Sequence, residues 1–139
     1  MQKRKMHFHQ LGLQGSHENR GSVFVNFKEM IMKLGHENKT IDIFKIDCEG
    51  CEWETFHDWI DHDIRQIQIE THKLPPQEAK AVEFFDSFAK HDFVMYSKEN
   101  NGWGNGDHYE FSYLKLHPEF LHPRKPDQNY TEKQLGYVG

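Results

Sequence analysis

The stretch Ile41 to Glu70 constrains the fold more than any other part of the sequence. Ile41 to Asp47 carries Ile41, Ile43, Phe44 and Ile46 with little polar face, the pattern of an inner parallel strand. Glu49-Gly50 supplies a turn. Cys51 to Ile60 then sets Trp53, Phe56 and Ile60 on one stripe of a helix. Ile64 to Glu70 returns to strand with Ile67 and Ile69. A strand, a helix and a strand within about 30 residues predict a βαβ unit, whose two strands must run parallel. Such strands end at the same sheet edge, and ligands of open α/β sheets bind in the crevice outside that edge.

Shorter elements flank this unit. His7 to Leu13 reads as a short edge strand, with Phe8 on one face and His7 and His9 on the other. Exposed edge histidines are expected there rather than a metal pair. Gln14 to Ser22 is polar loop. Asn26-Phe27-Lys28-Glu29 has the form of a capping box, followed by the stripe Phe27, Met30, Ile31 and Leu34 and a stop at Gly35. Pro75-Pro76 is expected to open a helix running to about His91, with Val82, Phe85, Phe88 and Ala89 inward. Phe93 to Lys98 and Tyr109 to Leu116 read as strands. The Gly102-x-Gly104-x-Gly106 loop between them has a phosphate-cradle pattern, but no helical stripe follows, so a hairpin connection is expected. The class is α/β, with a parallel βαβ core and a C-terminal antiparallel hairpin. One domain over residues 1–116 and an irregular tail over 117–139 are expected.

Composition removes several functions. The 139 residues carry a net charge of −5, which argues against a generalised basic surface for nucleic acid. No apolar run approaches the roughly 20 residues of a membrane span. No apolar run follows Met1-Gln2-Lys3-Arg4-Lys5, so no signal peptide is visible. The compartment stays open. Eleven Phe and three Trp in periodic segments argue for a packed core. The two cysteines, Cys48 and Cys51, have C-x-x-C spacing, which fits half a zinc site completed by histidines or a redox pair. The expected role is plainer: two small apolar residues at a strand-to-helix turn.

Asp47 and Glu49 lie at the end of the first core strand, and Glu70 and His72 at the end of the second. Four titratable groups therefore meet at one edge. They could hold a divalent cation through oxygen ligands, or orient a polar substrate and accept its proton. Asp47 and Glu70 are expected to face a ligand. Gly50 lets the chain turn into the helix. Glu52 and Glu54 are expected to complement the helix dipole. Lys45 is expected to pair with an acid or reach the sheet edge.

The run Lys45-Ile46-Asp47-Cys48-Glu49-Gly50-Cys51-Glu52-Trp53 resembles the K-x-D-x-E-G-x-E-W signature of the FkbM-like methyltransferases, closest to the branch of methyltransferase-like protein 24. Leu34-Gly35-His36, Glu70-Thr71-His72, Asn100-Asn101 and Glu110 fit the same pattern, so the resemblance spans roughly residues 7–116. It implies a Rossmann-like sheet and S-adenosylmethionine-dependent methyl transfer to a hydroxyl or amine acceptor, with Asp47 or His72 as candidate base. Glu49, Gly50, Glu52 and Glu70 would line the substrate or cofactor edge. By the family's order the chain starts near the third strand and lacks the first strand, its glycine loop and the acid that holds the ribose. A truncated domain with weak or absent cofactor binding is the expectation. Its unpaired sheet edge would invite a homodimer. The alternatives are a non-catalytic module acting through a partner, and a divalent-metal domain built on Asp47, Glu49, Glu70 and His72.

Overall fold

The computed structural model describes residues 6–15, 18, 20–75, 77–102 and 106–121. The elements are β1 Gly12–Leu13, β2 Phe24–Val25, α1 Phe27–Lys33, β3 Phe44–Ile46, α2 Glu52–Trp59, β4 Gln66–His72, α3 Glu78–Lys90, β5 Phe93–Asn100, β6 His108–Lys115 and α4 Pro118–Leu121. The tail expected from residue 117 falls, beyond Leu121, outside the described residues.

The main sheet has the order β3-β4-β6-β5. β3 and β4 are parallel, in register at Phe44–Ile67 and Ile46–Ile69. A bridge between Ile41 and Ile64 extends the pair backwards. β5 and β6 form the expected antiparallel hairpin, but β6 lies next to β4 and leaves β5 on the outside. The chain is therefore mixed α/β. β1 and β2 form a separate parallel pair.

Several expectations change. The first strand does not run from His7: residues 6–10 are exposed coil, and only Gly12–Leu13 pairs, with the unforeseen β2. β3 is an edge strand rather than an inner one. Ile43 is 58% exposed and Lys45 points outward, which spares that charge a buried site. Helix α3 opens at Glu78, not at the prolines: its N-cap is Gln77, which is extended at φ −96° and ψ 110°. Its inner stripe is Ala81, Phe84, Phe85 and Phe88, while Val82 and Ala89 face solvent. That set keeps the i, i+3, i+4, i+7 spacing, rotated from the expected one. At α1 the Asn26 half of the box is as read, with Asn26 Oδ1 accepting from the Glu29 N–H at 2.9 Å, and Gly35 takes φ +65°.

The core lies between the sheet and helices α2 and α3. Trp53 meets Phe84 at 4.7 Å between ring centroids, and Phe88 stacks on Tyr113 at 3.8 Å. Phe85 meets Phe111 edge-on. Burial pushes the Tyr113 hydroxyl above its ordinary pKa. Trp53 also donates its indole N–H to the His72 carbonyl at 3.1 Å, which ties α2 to the end of β4.

Candidate functional site

The site sits where β3 and β4 end. The backbone turns sharply after Asp47: Glu49 has φ +57° and Gly50 φ +105°. The second value suits glycine, and the first strains a residue with a Cβ. This turn throws the Glu49 side chain outward and starts α2 directly beneath the end of β4.

The turn also carries a correction. Cys48 and Cys51 are joined in a disulfide, so they are not two independent apolar thiols. A C-x-x-C pair at a strand-to-helix turn brings its Cα atoms to 5.3 Å, within the range a disulfide bridges. Cys51 is buried, and the Cys48 sulfur lies 3.3 Å from Glu52 Oε2.

Glu52 is 0% exposed. Burying a carboxylate is costly unless its oxygens are filled with donors, and here they are. Oε2 accepts from the Gly50 N–H at 2.9 Å. Oε1 accepts from the His72 N–H at 2.6 Å and faces His72 Nδ1 at 3.2 Å. Glu52 therefore locks the turn, the helix start and the end of β4 together instead of serving the helix dipole from the surface. Glu54, its neighbour in the dipole expectation, pairs with Lys80 of α3.

The other expected residues converge on His72. Its Nε2 lies 3.6 Å from Asp47 Oδ1, 3.7 Å from Glu49 Oε2 and 3.7 Å from Glu70 Oε1. The imidazole is 8% exposed, Glu70 11%, Asp47 43% and Glu49 85%. The site is thus buried at His72 and open on the Asp47–Glu49 side. Asn101, on the loop after β5, donates to Glu70 Oε1 at 2.6 Å and holds it in place.

Sequence reasoning missed His108. It opens β6, pairs in register with His72, and its ring centroid lies 4.8 Å from that of His72. Only the placement of β6 beside β4 brings it there, and nothing local in the sequence signals that placement. Two clefts flank the cluster. One, of about 410 Å³, runs along the free edge of β3 between Leu13, Phe24, Phe44, Lys45, Asp47 and Glu49. The other, of about 400 Å³, opens over Glu49, Trp53, His72, Leu74 and His108. Both are of a size that takes small molecules.

A buried imidazole with one nitrogen fixed by a carboxylate and the other facing polar, partly open groups can accept a proton from a bound ligand or coordinate one. A sequence model of a methyltransferase-domain family matches residues 1–115, and the chain belongs to that family. No curated protein and no solved structure matches it. Membership makes S-adenosylmethionine the methyl donor that the family suggests.

Proposed function

We propose that the described residues form the acceptor side of an S-adenosylmethionine-dependent methyltransferase domain of the FkbM-like type, with a Rossmann-like sheet. Asp47 and His72 take the proton of a hydroxyl or amine acceptor, and Glu49 and Glu70 orient it. The observation that supports this reading is the Glu52–His72 pair. A buried carboxylate on Nδ1 presents Nε2 as an acceptor towards the open edge of the parallel strands. Methyl transfer needs alignment and a deprotonated nucleophile more than it needs many side chains.

The donor fits these residues poorly. A Cβ on Gly12, on the wall of the larger cleft, would lie 2.6 Å from the Phe24 ring, so this glycine makes room for an internal side chain. β2 runs into Asn26, whose amide oxygen is committed to capping α1. Neither offers the open glycine backbone or the ribose-holding acid that the resemblance implies. The reading therefore assigns the donor's main contacts to groups outside the described residues, and no step is derived through it.

Two measurements test this. Calorimetric titration with S-adenosylmethionine and its demethylated product is expected to show no micromolar binding, and micromolar affinity would overturn the assignment of the donor site. Transfer of labelled methyl to a panel of hydroxyl and amine acceptors, at millimolar donor so that weak binding still gives a measurable rate in the parent chain, is expected to fall by about 10²-fold or more in His72→Gln. Equal rates in His72→Gln, Asp47→Asn and the parent chain would remove both residues from the chemistry.

A further inference from the structure

We infer that Asp47, Glu49 and His72, with Glu70 and His108 as a second set around the same imidazole, form a binding site for a divalent transition-metal ion such as Zn²⁺ or Mn²⁺. The inference starts from His72 Nε2 rather than from the acids. Glu52 is a buried acceptor with no proton of its own to give when ionised, so the hydrogen on the imidazole sits on Nδ1. Nε2 is then a lone pair. It belongs to a side chain more than nine-tenths buried, and among the described residues it makes no hydrogen bond. What it faces is three carboxylate oxygens at 3.6, 3.7 and 3.7 Å.

Around Nε2 the carboxylates divide into two sets, Asp47 and Glu49 in one and Glu70 with His108 in the other. A divalent cation between Nε2 and these oxygens would offset the mutual repulsion of the carboxylates. With bonds of about 2.1 Å to nitrogen and oxygen, separations of this size correspond to ligand–metal–ligand angles of roughly 120°, close to those of a four-coordinate ion. The ligand atoms of Asp47, Glu49 and His72 lie within 4.8 Å of one another, and so do those of Glu70, His72 and His108. His72 belongs to both sets.

The surroundings have the form of a metal site as well. The ligating imidazole is oriented by a carboxylate on its other nitrogen, and Glu70 is oriented by Asn101. The imidazole donors favour a transition ion over Mg²⁺ or Ca²⁺, which prefer all-oxygen shells. Asp47 and Glu49 are exposed and can swing to admit the ion. The site does not depend on methyl transfer. If the proposed activity is correct, a bound ion would occupy Nε2 and lower the pKa of an acceptor hydroxyl, in place of proton transfer to the imidazole.

The test is equilibrium dialysis of the chelator-treated chain against Zn²⁺, Mn²⁺ and Mg²⁺, read by elemental analysis. About one Zn²⁺ or Mn²⁺ per chain is expected, not displaced by excess Mg²⁺. Asp47→Asn and Glu49→Gln alter exposed side chains and are expected to keep the fold, checked by circular dichroism, while weakening binding at least 10-fold. His7→Ala with His9→Ala controls for surface histidines and is expected to leave binding unchanged. Co²⁺ in place of Zn²⁺ is expected to give a visible absorption band that Asp47→Asn alters. No retained ion, or retention indifferent to Asp47→Asn and Glu49→Gln, overturns the site.

Discussion

Replacing Glu52 by Gln tests whether this carboxylate holds the site together. The change keeps volume and shape and swaps one oxygen for an NH₂ group. In the parent chain Oε1 serves the His72 N–H and Nδ1, while Oε2 serves the Gly50 N–H. Only one oxygen remains in Gln. If it faces His72, the NH₂ meets the Gly50 N–H; if it faces Gly50, the NH₂ meets the donors of His72. Either way at least one buried donor loses its acceptor and opposes another donor. A lost bond to a charged group together with an orphaned donor amounts to about 2–4 kcal/mol. With a urea slope of about 1.5 kcal/mol/M for a chain of this size, the midpoint is expected to fall by roughly 2 M at unchanged slope. Glu54→Gln is the control, because its ion pair with Lys80 is partly exposed and worth less than about 1 kcal/mol. A shift below about 0.5 M for Glu52→Gln, or equal shifts for both variants, would refute the anchoring role.

Three further outcomes follow from the same geometry. Gly50→Ala meets no atom within 4 Å, so its cost comes from the φ of +105° alone; about 1–2 kcal/mol in thermal unfolding is expected, and a neutral result would place the turn elsewhere. Reducing the Cys48–Cys51 disulfide removes a very short covalent loop, for which loop-closure entropy gives about 2 kcal/mol; denaturation with and without reductant measures it, and a loss well above that would mean the bridge does more than shorten the unfolded chain. The outer edge of β3, with exposed Ile43 just before it, is expected to support a concentration-dependent homodimer in light scattering, weakened by Ile43→Asp; a clean monomer at every concentration counts against it.

The βαβ unit was legible because each of its signals is local: alternation and apolar runs for the strands, a stripe with Trp53 and Phe56 for the helix, and a glycine between them. The hairpin was legible for the same reason. What was not legible depends on contacts between distant segments. The insertion of β6 between β4 and β5 follows from how the hairpin folds back on the sheet, and it alone brings His108 to His72. The pairing of β1 with β2 rests on two residues in each strand, too few for any periodic pattern. On α3 the correct period was readable but its phase was not, because Phe84 and Phe85 are equally apolar and only the positions of Trp53 and Phe56 select Phe84 as the fully buried ring.

Glu49 and Glu52 show why the site divides in the same way. They are the same residue type three positions apart, at the start of one helix, and by composition or dipole argument they are interchangeable. One is 85% exposed and the other 0%. The backbone between them decides this. Two consecutive positive-φ residues, Glu49 and Gly50, reverse the chain, so the side chain within the reversal projects to the open edge and the one after it projects beneath β4. There it meets the N–H and the imidazole of a residue 20 positions later. The E-G-x-E spacing therefore encodes a division of labour, one acid for the ligand side and one for the frame. Gly50 is what separates them. Moving that glycine by one position should collapse the distinction while leaving composition, charge and helix propensity almost untouched.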